Sequence, residues 1–177
     1  FVFNSLAHRT TWLRSDLLND FQVTDYTGRS AQTMTWQNEK EYLENVSKNK
    51  GYKSFNIVEL KTDKLIGSVG LENCDYAARS AVLGIFIGED DFRSHGYGTE
   101  AIKLLLEYGF KYLNLHSIRL DLLSFNERAH KCYLKCGFKD TGCTREAIFI
   151  NGKYYDKLHM DILENEFEGD YIRNKNI

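Results

Sequence analysis

The sequence predicts a mixed α/β (α+β) domain: one central sheet of about seven strands with about four helices packed against it. Three observations lead there. Strand-like and helix-like runs alternate along the whole chain, with no linker or internal repeat. Two pairs of strand runs are joined by short turns, Lys61-Thr62-Asp63 and Asn151-Gly152, which makes the sheet mostly antiparallel. A third strand run, residues 81–87, is apolar at nearly every position and leads through a glycine-bearing loop into a long helix.

In order, residues 1–5 alternate apolar and polar positions and read as a first strand. Trp12, Leu13, Leu17 and Leu18 mark an amphipathic helix over residues 9–18, and a loop follows over 20–28. Thr35 caps a second helix, which runs to Lys48 and ends at Lys50-Gly51. Residues 54–60 and 64–71 form the first hairpin, and the polar stretch 72–80 connects to the central strand. That strand, 81–87, is expected to be buried on both faces, with Gly84 and Gly88 marking a bulge. The next helix runs from Thr99 to Leu113, with Ile102, Leu105, Leu106, Phe110 and Leu113 on one stripe. Ile118, Leu120 and Leu122 alternate with Arg119 and Asp121 in a half-exposed strand over 117–123. Ser124-Phe125-Asn126-Glu127 reads as a capping box for a helix carrying Ala129, Cys132, Tyr133 and Cys136, closed by Gly137. Strands over 145–150 and 153–162 flank Asn151-Gly152. The domain is expected to span residues 1–163, followed by a polar, frayed tail over 164–177.

Composition narrows the function classes. The chain has 177 residues, 42% hydrophobic and 27% charged, with a formal net charge of −2. That is ordinary for one globular domain able to bury about 70% of its unfolded surface. Lys and Arg are spread throughout, which argues against a nucleic-acid partner. No apolar run approaches the ~18 residues of a membrane span, and no signal-peptide pattern follows Phe1, so a cytoplasmic setting is expected. A start at Phe1 rather than Met suggests that a few residues precede it. Cys132 and Cys136 stand one helical turn apart, a spacing that suits burial on one face better than a metal site or a disulfide.

The loop Arg93-Ser94-His95-Gly96-Tyr97-Gly98-Thr99 carries the chemistry. Its glycines let backbone N–H groups turn toward one point, and the following helix adds its dipole, so an anion is held without a large basic patch. It is not a Walker A loop, because Tyr97-Gly98-Thr99-Glu100 lacks the Gly-Lys-Ser/Thr end. It is not the dinucleotide fingerprint, because the third glycine is missing. A nucleotide-binding domain is disfavoured for those reasons.

The Arg-x-x-Gly-x-Gly spacing at 93–98 resembles the acetyl-CoA loop of the GNAT acyltransferases, which lies between their fourth strand and third helix. A second block, Asn126-Glu127-Arg128-Ala129-His130-Lys131-Cys132-Tyr133-Leu134-Lys135-Cys136-Gly137-Phe138, keeps every fixed position of the family's Asn-x-x-Ala-x-x-x-Tyr-x-x-x-Gly-Phe run. The two together are far more specific than either. The resemblance is strongest over residues 65–162. It is closest to the Rim-type branch, which acetylates protein N-termini and includes polyamine and small-amine acetyltransferases. Tyr-Gly-Thr-Glu-Ala at 97–101, Leu-Asn-Leu-His at 113–116 and Asn-Gly-x-Tyr at 151–154 carry that likeness.

The resemblance implies a GNAT fold with a splayed central strand pair, acetyl-CoA as cofactor and a primary amine as acceptor, in a monomer or homodimer. It implies that Arg93, Ser94, His95, Gly96, Tyr97, Gly98 and Thr99 hold the pyrophosphate, mostly through backbone N–H groups. Phe86 and Ile87 would offer backbone to the pantetheine arm, Asn126 would hydrogen-bond it, and Arg128 and Ala129 would lie beside it. Tyr133 would sit by the thioester sulfur as the catalytic residue. Its reference pKa near 10 exceeds that of a thiol, about 8.5, so full proton transfer to the thiolate runs uphill by about 2 kcal/mol. A hydrogen bond to the developing thiolate is expected instead.

Three positions depart from the family. Val82 stands where many relatives carry a glutamate used as base or water anchor, Ser94 where glycine is common, and His95 where a cation is common. The base is therefore unassigned, and Glu72 and Asp75, the nearest acids, read as surface carboxylates. Val82 also keeps open a second class, a GNAT-fold module that senses acyl-CoA without turnover.

Overall fold

The computed structural model describes residues 3–5, 35–88 and 90–172. The helix expected over 9–18 and the loop over 20–28 lie outside the described residues. Numbered among those residues, the elements are β1 (Phe3–Ser5), α1 (Trp36–Lys48), β2 (Lys53–Glu59), β3 (Lys64–Asp75), β4 (Ser80–Ile87), α2 (Tyr97–Glu107), β5 (Ser117–Leu123), α3 (Glu127–Lys135), β6 (Lys139–Ile150) and β7 (Lys153–Leu163). The strands form one seven-stranded sheet in the order β1-β2-β3-β4-β5-β7-β6. Neighbours are antiparallel except β4 and β5, which run parallel. Parallel strands need a crossover, and α2 provides it. Among the described residues no helix is long and apolar enough to cross a membrane.

Local chemistry sets the ends. Thr35 Oγ1 accepts the Asn38 N–H at 3.2 Å and caps α1. Asn151 and Gly152, at φ 50° and 79°, make the type I′ turn between β6 and β7. Two strands are longer than their composition indicated. β3 continues to Asp75 through polar residues, held by its pairing with β4. β6 starts at Lys139, and its exposed first half is interrupted by register shifts, so no apolar alternation marks it.

The core lies between α2 and one face of the sheet. Ile102, Leu105, Leu106 and Phe110 pack with Val69, Leu71, Ala81, Leu83, Ile118 and Leu120. Each fully buried aliphatic side chain contributes about 2 kcal/mol. The α-helix stops at Glu107, and Tyr108–Tyr112 form one π-helical turn, closed by the Leu113 N–H on the Tyr108 C=O at 3.1 Å. Gly109 allows this turn to lie against the sheet, since a Cβ there would stand 2.8 Å from Ile118 Cδ1.

Three expectations are corrected. β4 is not buried on both faces: Ala81 and Leu83 enter the core, whereas Val82 and residues 84–87 are half-exposed. Gly84 carries no bulge, because the register with β3 is continuous from Gly67↔Ile87 to Glu72↔Val82, and the shift comes later, between Glu72 and Asp75. Residues 164–172 are docked rather than frayed. Phe167 packs on Phe110 with ring centroids 5.5 Å apart, and the buried Glu107 carboxylate accepts the Tyr171 and Ile172 N–H groups.

Candidate active site

β4 and β5 pair only at Ser80, Ala81 and Val82, opposite Ser117, Ile118 and Arg119, and then part. The Gly88 N–H donates to Ile66 C=O at 2.9 Å. Hydrogen-bonded pairs recur every second residue of an antiparallel ladder, so Phe86 commits its N–H and C=O to β3, opposite Ser68. Ile85 and Ile87 are the residues whose backbone faces the gap. This corrects the expectation for Phe86, whose ladder parity no local pattern reveals. The Ile87 C=O accepts Arg93 Nε–H at 3.1 Å, which leaves the Ile87 N–H and both polar groups of Ile85 facing the gap. A cavity of about 810 Å³ passes through the gap, lined by residues from both faces of β4.

The loop before α2 has the expected anion geometry. Gly96 is the N-cap at φ 91°, with no side-chain cap. The first intrahelical bond is Glu100 N–H to Gly96 C=O at 3.0 Å, so the Tyr97, Gly98 and Thr99 N–H groups precede it without intrahelical acceptors. Gly98 forms the groove floor, where a Cβ would lie 3.9 Å from both Ile85 Cδ1 and Cys132 Sγ. Ser94 adopts φ 63°, a left-handed backbone that glycine takes at about 1 kcal/mol less cost. The open groove and its forward-facing N–H groups fit a diphosphate.

Side chains in this loop do other work. The Arg93 guanidinium bonds the Ile87 and Gly88 carbonyls at 3.1 and 3.0 Å and pairs with Asp90, so it ties the loop to the end of β4. His95 is exposed, with Nδ1 2.7 Å from the Arg93 C=O. Tyr97 packs on Phe92 and its hydroxyl bonds Glu59. Ser94, Gly96, Gly98 and Thr99 line the cavity, and His95 and Tyr97 do not.

On α3, Asn126 Oδ1 accepts the Ala129 N–H at 3.1 Å. Asn126 is thus the N-cap, and the Ser124 capping box does not form, because the Ser124 N–H bonds Asp156 C=O at 2.9 Å. The Asn126 Nδ2 donor is not used by this cap, and Asn126, Arg128 and Ala129 all line the cavity. Lys131 and Lys135 line it too and were missed. Lys131 follows Arg128 by three residues and Lys135 follows Lys131 by four, which places all three cations on one helix face and was the signal available.

Tyr133 is 8% exposed, meets the Phe138 ring edge-on and lines the cavity. Burial, then the neighbouring Cys132 and Cys136, pushes its hydroxyl well above the usual phenol range. A hydroxyl so raised stays protonated, the state in which a phenol can donate a hydrogen bond. The two cysteines do not share one environment. Cys136 is buried, with its S–H 3.7 Å from Thr99 C=O and its pKa raised by its bond to Cys132. Cys132 is half-buried on the cavity wall, 3.2 Å from Thr99 Oγ1. The hydrogen bond with Cys136, opposed by burial and aided by Thr99, Lys135 and Arg128, lowers Cys132 to about 6.

The two nearby acids also divide. Asp75 is an exposed turn residue, its Oδ1 accepting the Ala77 and Ala78 N–H groups at 2.9 and 2.8 Å. Glu72 is half-buried and lines the cavity, as does Asp121 of β5. His159 Nδ1 lies 2.7 Å from Asp121 Oδ1.

An anion cradle at a helix start, beside two parted parallel strands, has counterparts among known proteins. Residues 5–139 match the description "Acetyltransferase (GNAT) domain". The chain belongs to the GNAT acetyltransferase family, whose members take an acyl group from acyl-CoA. It is 37% identical over 111 residues to the spermidine N(1)-acetyltransferase of Vibrio cholerae serotype O1, covering 63% of this chain and 64% of that protein. It is 33% identical over 111 residues to the Escherichia coli K12 spermidine N(1)-acetyltransferase, covering 63% and 59%. A putative ribosomal N-acetyltransferase of Bacillus subtilis, YdaF, is 29% identical over 106 residues, covering 60% and 57%. The matched stretch spans less than two thirds of the length of each of these curated relatives. Among solved structures, the Vibrio cholerae spermidine N-acetyltransferase in complex with CoA and spermine has a TM-score of 0.86 at 27% identity, over 93% of this chain and 96% of that one.

Proposed function

We propose that this chain is an acetyl-CoA-dependent N-acetyltransferase whose acceptor is a small cationic amine of the polyamine type. The observation that carries the reading is a single cavity that joins the α2 N-terminus, the β4–β5 gap, Tyr133 and two carboxylates, Glu72 and Asp121. Basic side chains outnumber acids along the cavity, so that pair would be the part of its wall complementary to a cationic amine. The relatives named for spermidine support the same class, and the Rim-type motifs are compatible with it. Four free cysteines suit a reducing cytoplasm.

Acetyl-CoA would supply the acyl group as a thioester. The forward N–H groups of α2 and the cations Arg128, Lys131 and Lys135 would bear its phosphates. Ile85 and Ile87 would meet its amide arm as a further strand does. Tyr133 would donate to the sulfur as negative charge develops there, and a backbone N–H at the gap would meet the carbonyl oxygen. That donor is freed by the strands parting, not by a bulge.

Val82, in place of the family's acid, favours a second reading, an acyl-CoA sensor without turnover. Thiol release from acetyl-CoA, measured with spermidine, spermine and an alanine-initiated peptide, separates the readings. Turnover on both polyamines, and little on the peptide, is expected. Turnover on the peptide alone rejects the acceptor class. CoA binding with no turnover on any amine selects the sensor.

A further inference from the structure

We propose that Glu72 supplies, from β3, the carboxylate that this family commonly carries on β4, and acts as the base that takes a proton from the acceptor amine. The inference rests on the acetyltransferase reading above. The family position on β4 is Val82, and the β3–β4 register sets Glu72 directly opposite it. Opposed residues of an antiparallel pair present their side chains on one face, with Cβ atoms about 5 Å apart. The acid has moved across one rung of the ladder without changing face.

Its carboxylate is directed along β4. Glu72 Oε1 stands 3.6 Å from the point that a Cβ on Gly84 would occupy. β5 leaves β4 after Val82, so Gly84 lies at the mouth of the gap, and its missing side chain makes room there. Glu72, Val82, Gly84 and Tyr133 line one cavity. Asp121 shares the wall but is engaged with His159 at 2.7 Å. Among the described residues the Glu72 carboxylate has no ion pair or hydrogen bond.

The acceptor needs such a group. An alkylammonium with a pKa near 10.4 is neutral in roughly one molecule in 2,500 at pH 7. Glu72 accepts one proton from R–NH3+, concerted with formation of the N–C bond, because a carboxylate alone is a weak base for ammonium. The nitrogen lone pair forms that bond to the acyl carbon as the C–S bond breaks. The sulfur leaves with the electron pair and receives the second amine proton by way of the Tyr133 hydroxyl. Glu72 then returns the first proton to water, so the sum is amide, thiol and one released proton.

The test uses the full chain, spermidine and acetyl-CoA, with Glu72→Gln and the double variant Glu72→Val/Val82→Glu, which returns the acid to β4. Glu72→Gln should lower kcat about 100-fold. Calorimetry on the cofactor-free protein should show spermidine binding weakened about five-fold and CoA binding unchanged, which also reports an intact fold. The double variant should regain at least about ten-fold in kcat and recover spermidine affinity. Wild-type kcat and spermidine affinity in Glu72→Gln would overturn the role of Glu72 and leave the acetyltransferase reading standing. A loss that the transposed acid does not rescue would also overturn it. No turnover by the wild-type chain on any amine would overturn both.

Discussion

Phe138 N–H donates to Tyr133 C=O at 3.1 Å, and the two rings meet edge to face with centroids 5.9 Å apart. Together with the Gly137 N–H on Leu134 C=O, also at 3.1 Å, this is a Schellman closure of α3. The residue that ends the helix therefore also holds the ring of the cavity-lining Tyr133. A family motif that reads as a catalytic signature, Tyr-x-x-x-Gly-Phe, is in structural terms one helix cap.

Gly137 is the permissive residue, at φ 97°. Gly137→Ala forces a side chain into the left-handed region, at about 1–2 kcal/mol. The new methyl would also stand 3.1 Å from Ile162 Cδ1. Thermal unfolding should show a melting temperature lower by roughly 3–8 °C. An unchanged melting temperature would show that the cap does not hold α3.

Tyr133→Phe keeps the ring and its contact with Phe138 but removes the hydroxyl. Turnover should fall roughly 100-fold, as for loss of one preorganised donor, while CoA affinity by calorimetry stays within about two-fold. Stability should respond to pH with a definite sign. The native pKa of Tyr133 is raised above the unfolded value near 10, so its contribution is complete below pH 10 and is lost as pH rises beyond it. Urea midpoints at pH 8 and pH 11 should fall less in Tyr133→Phe than in the wild type.

The hydrogen bond with Cys136 lowers the Cys132 pKa below the ordinary thiol value, so Cys132 holds more thiolate at pH 7 than a free cysteine. An ordinary thiol near 8.5 is only a few per cent ionised there. Iodoacetamide at pH 7 should therefore label Cys132 faster than the exposed Cys143, with a pH–rate midpoint below that of an ordinary thiol. CoA should protect Cys132, which lines the same groove. Peptide mass spectrometry reads the order, and preferential labelling of Cys143 would contradict the lowered pKa.

What the sequence disclosed and what it hid divide along physical lines. Gly96, Gly137 and Asn151-Gly152 were legible because a left-handed backbone leaves a residue-level mark. Tyr133 and Asn126 were legible through fixed spacing on one short helix. Glu72 was not, because its position depends on which residue of β4 it faces, and register is a long-range property. The choice of Ile85 over Phe86 turns on the same ladder. Lys131 and Lys135 were not legible, because only the cavity beside α3 separates such lysines from solvated helix charges. The docked end of the chain was hidden because it is held by backbone N–H groups on one distant carboxylate and by the single Phe167 ring, neither of which makes a periodic apolar pattern.

Those two lysines should matter to cofactor affinity and little to turnover. Both side chains are exposed, so each contributes at most about 1 kcal/mol. Lys131→Ala/Lys135→Ala should weaken CoA binding roughly ten-fold at low salt, with the difference from wild type shrinking as ionic strength rises. Calorimetry at two salt concentrations checks this. A salt-independent loss would point to a structural defect in α3 instead.

Glu107 offers the sharpest test of how the fold closes. Its side chain is fully buried in the last turn of α2, where it accepts the Ile172 N–H at 2.8 Å and the Tyr171 N–H, and meets Lys111 Nζ at 3.4 Å. Glu107→Ala leaves those half-buried donors without their acceptor, at up to about 1–3 kcal/mol each. Glu107→Gln retains an acceptor oxygen and should lie between Ala and wild type in melting temperature. Truncation after residue 166 removes the donors and the Phe167 contact with Phe110, and leaves the carboxylate with Lys111 alone. Each change disables one half of the same junction, so Glu107→Ala in the truncated chain should cost far less than in the full chain. Chemical denaturation of the four proteins closes the cycle. Additive losses would mean that Glu107 and the end of the chain stabilise the domain independently, against the geometry that joins them.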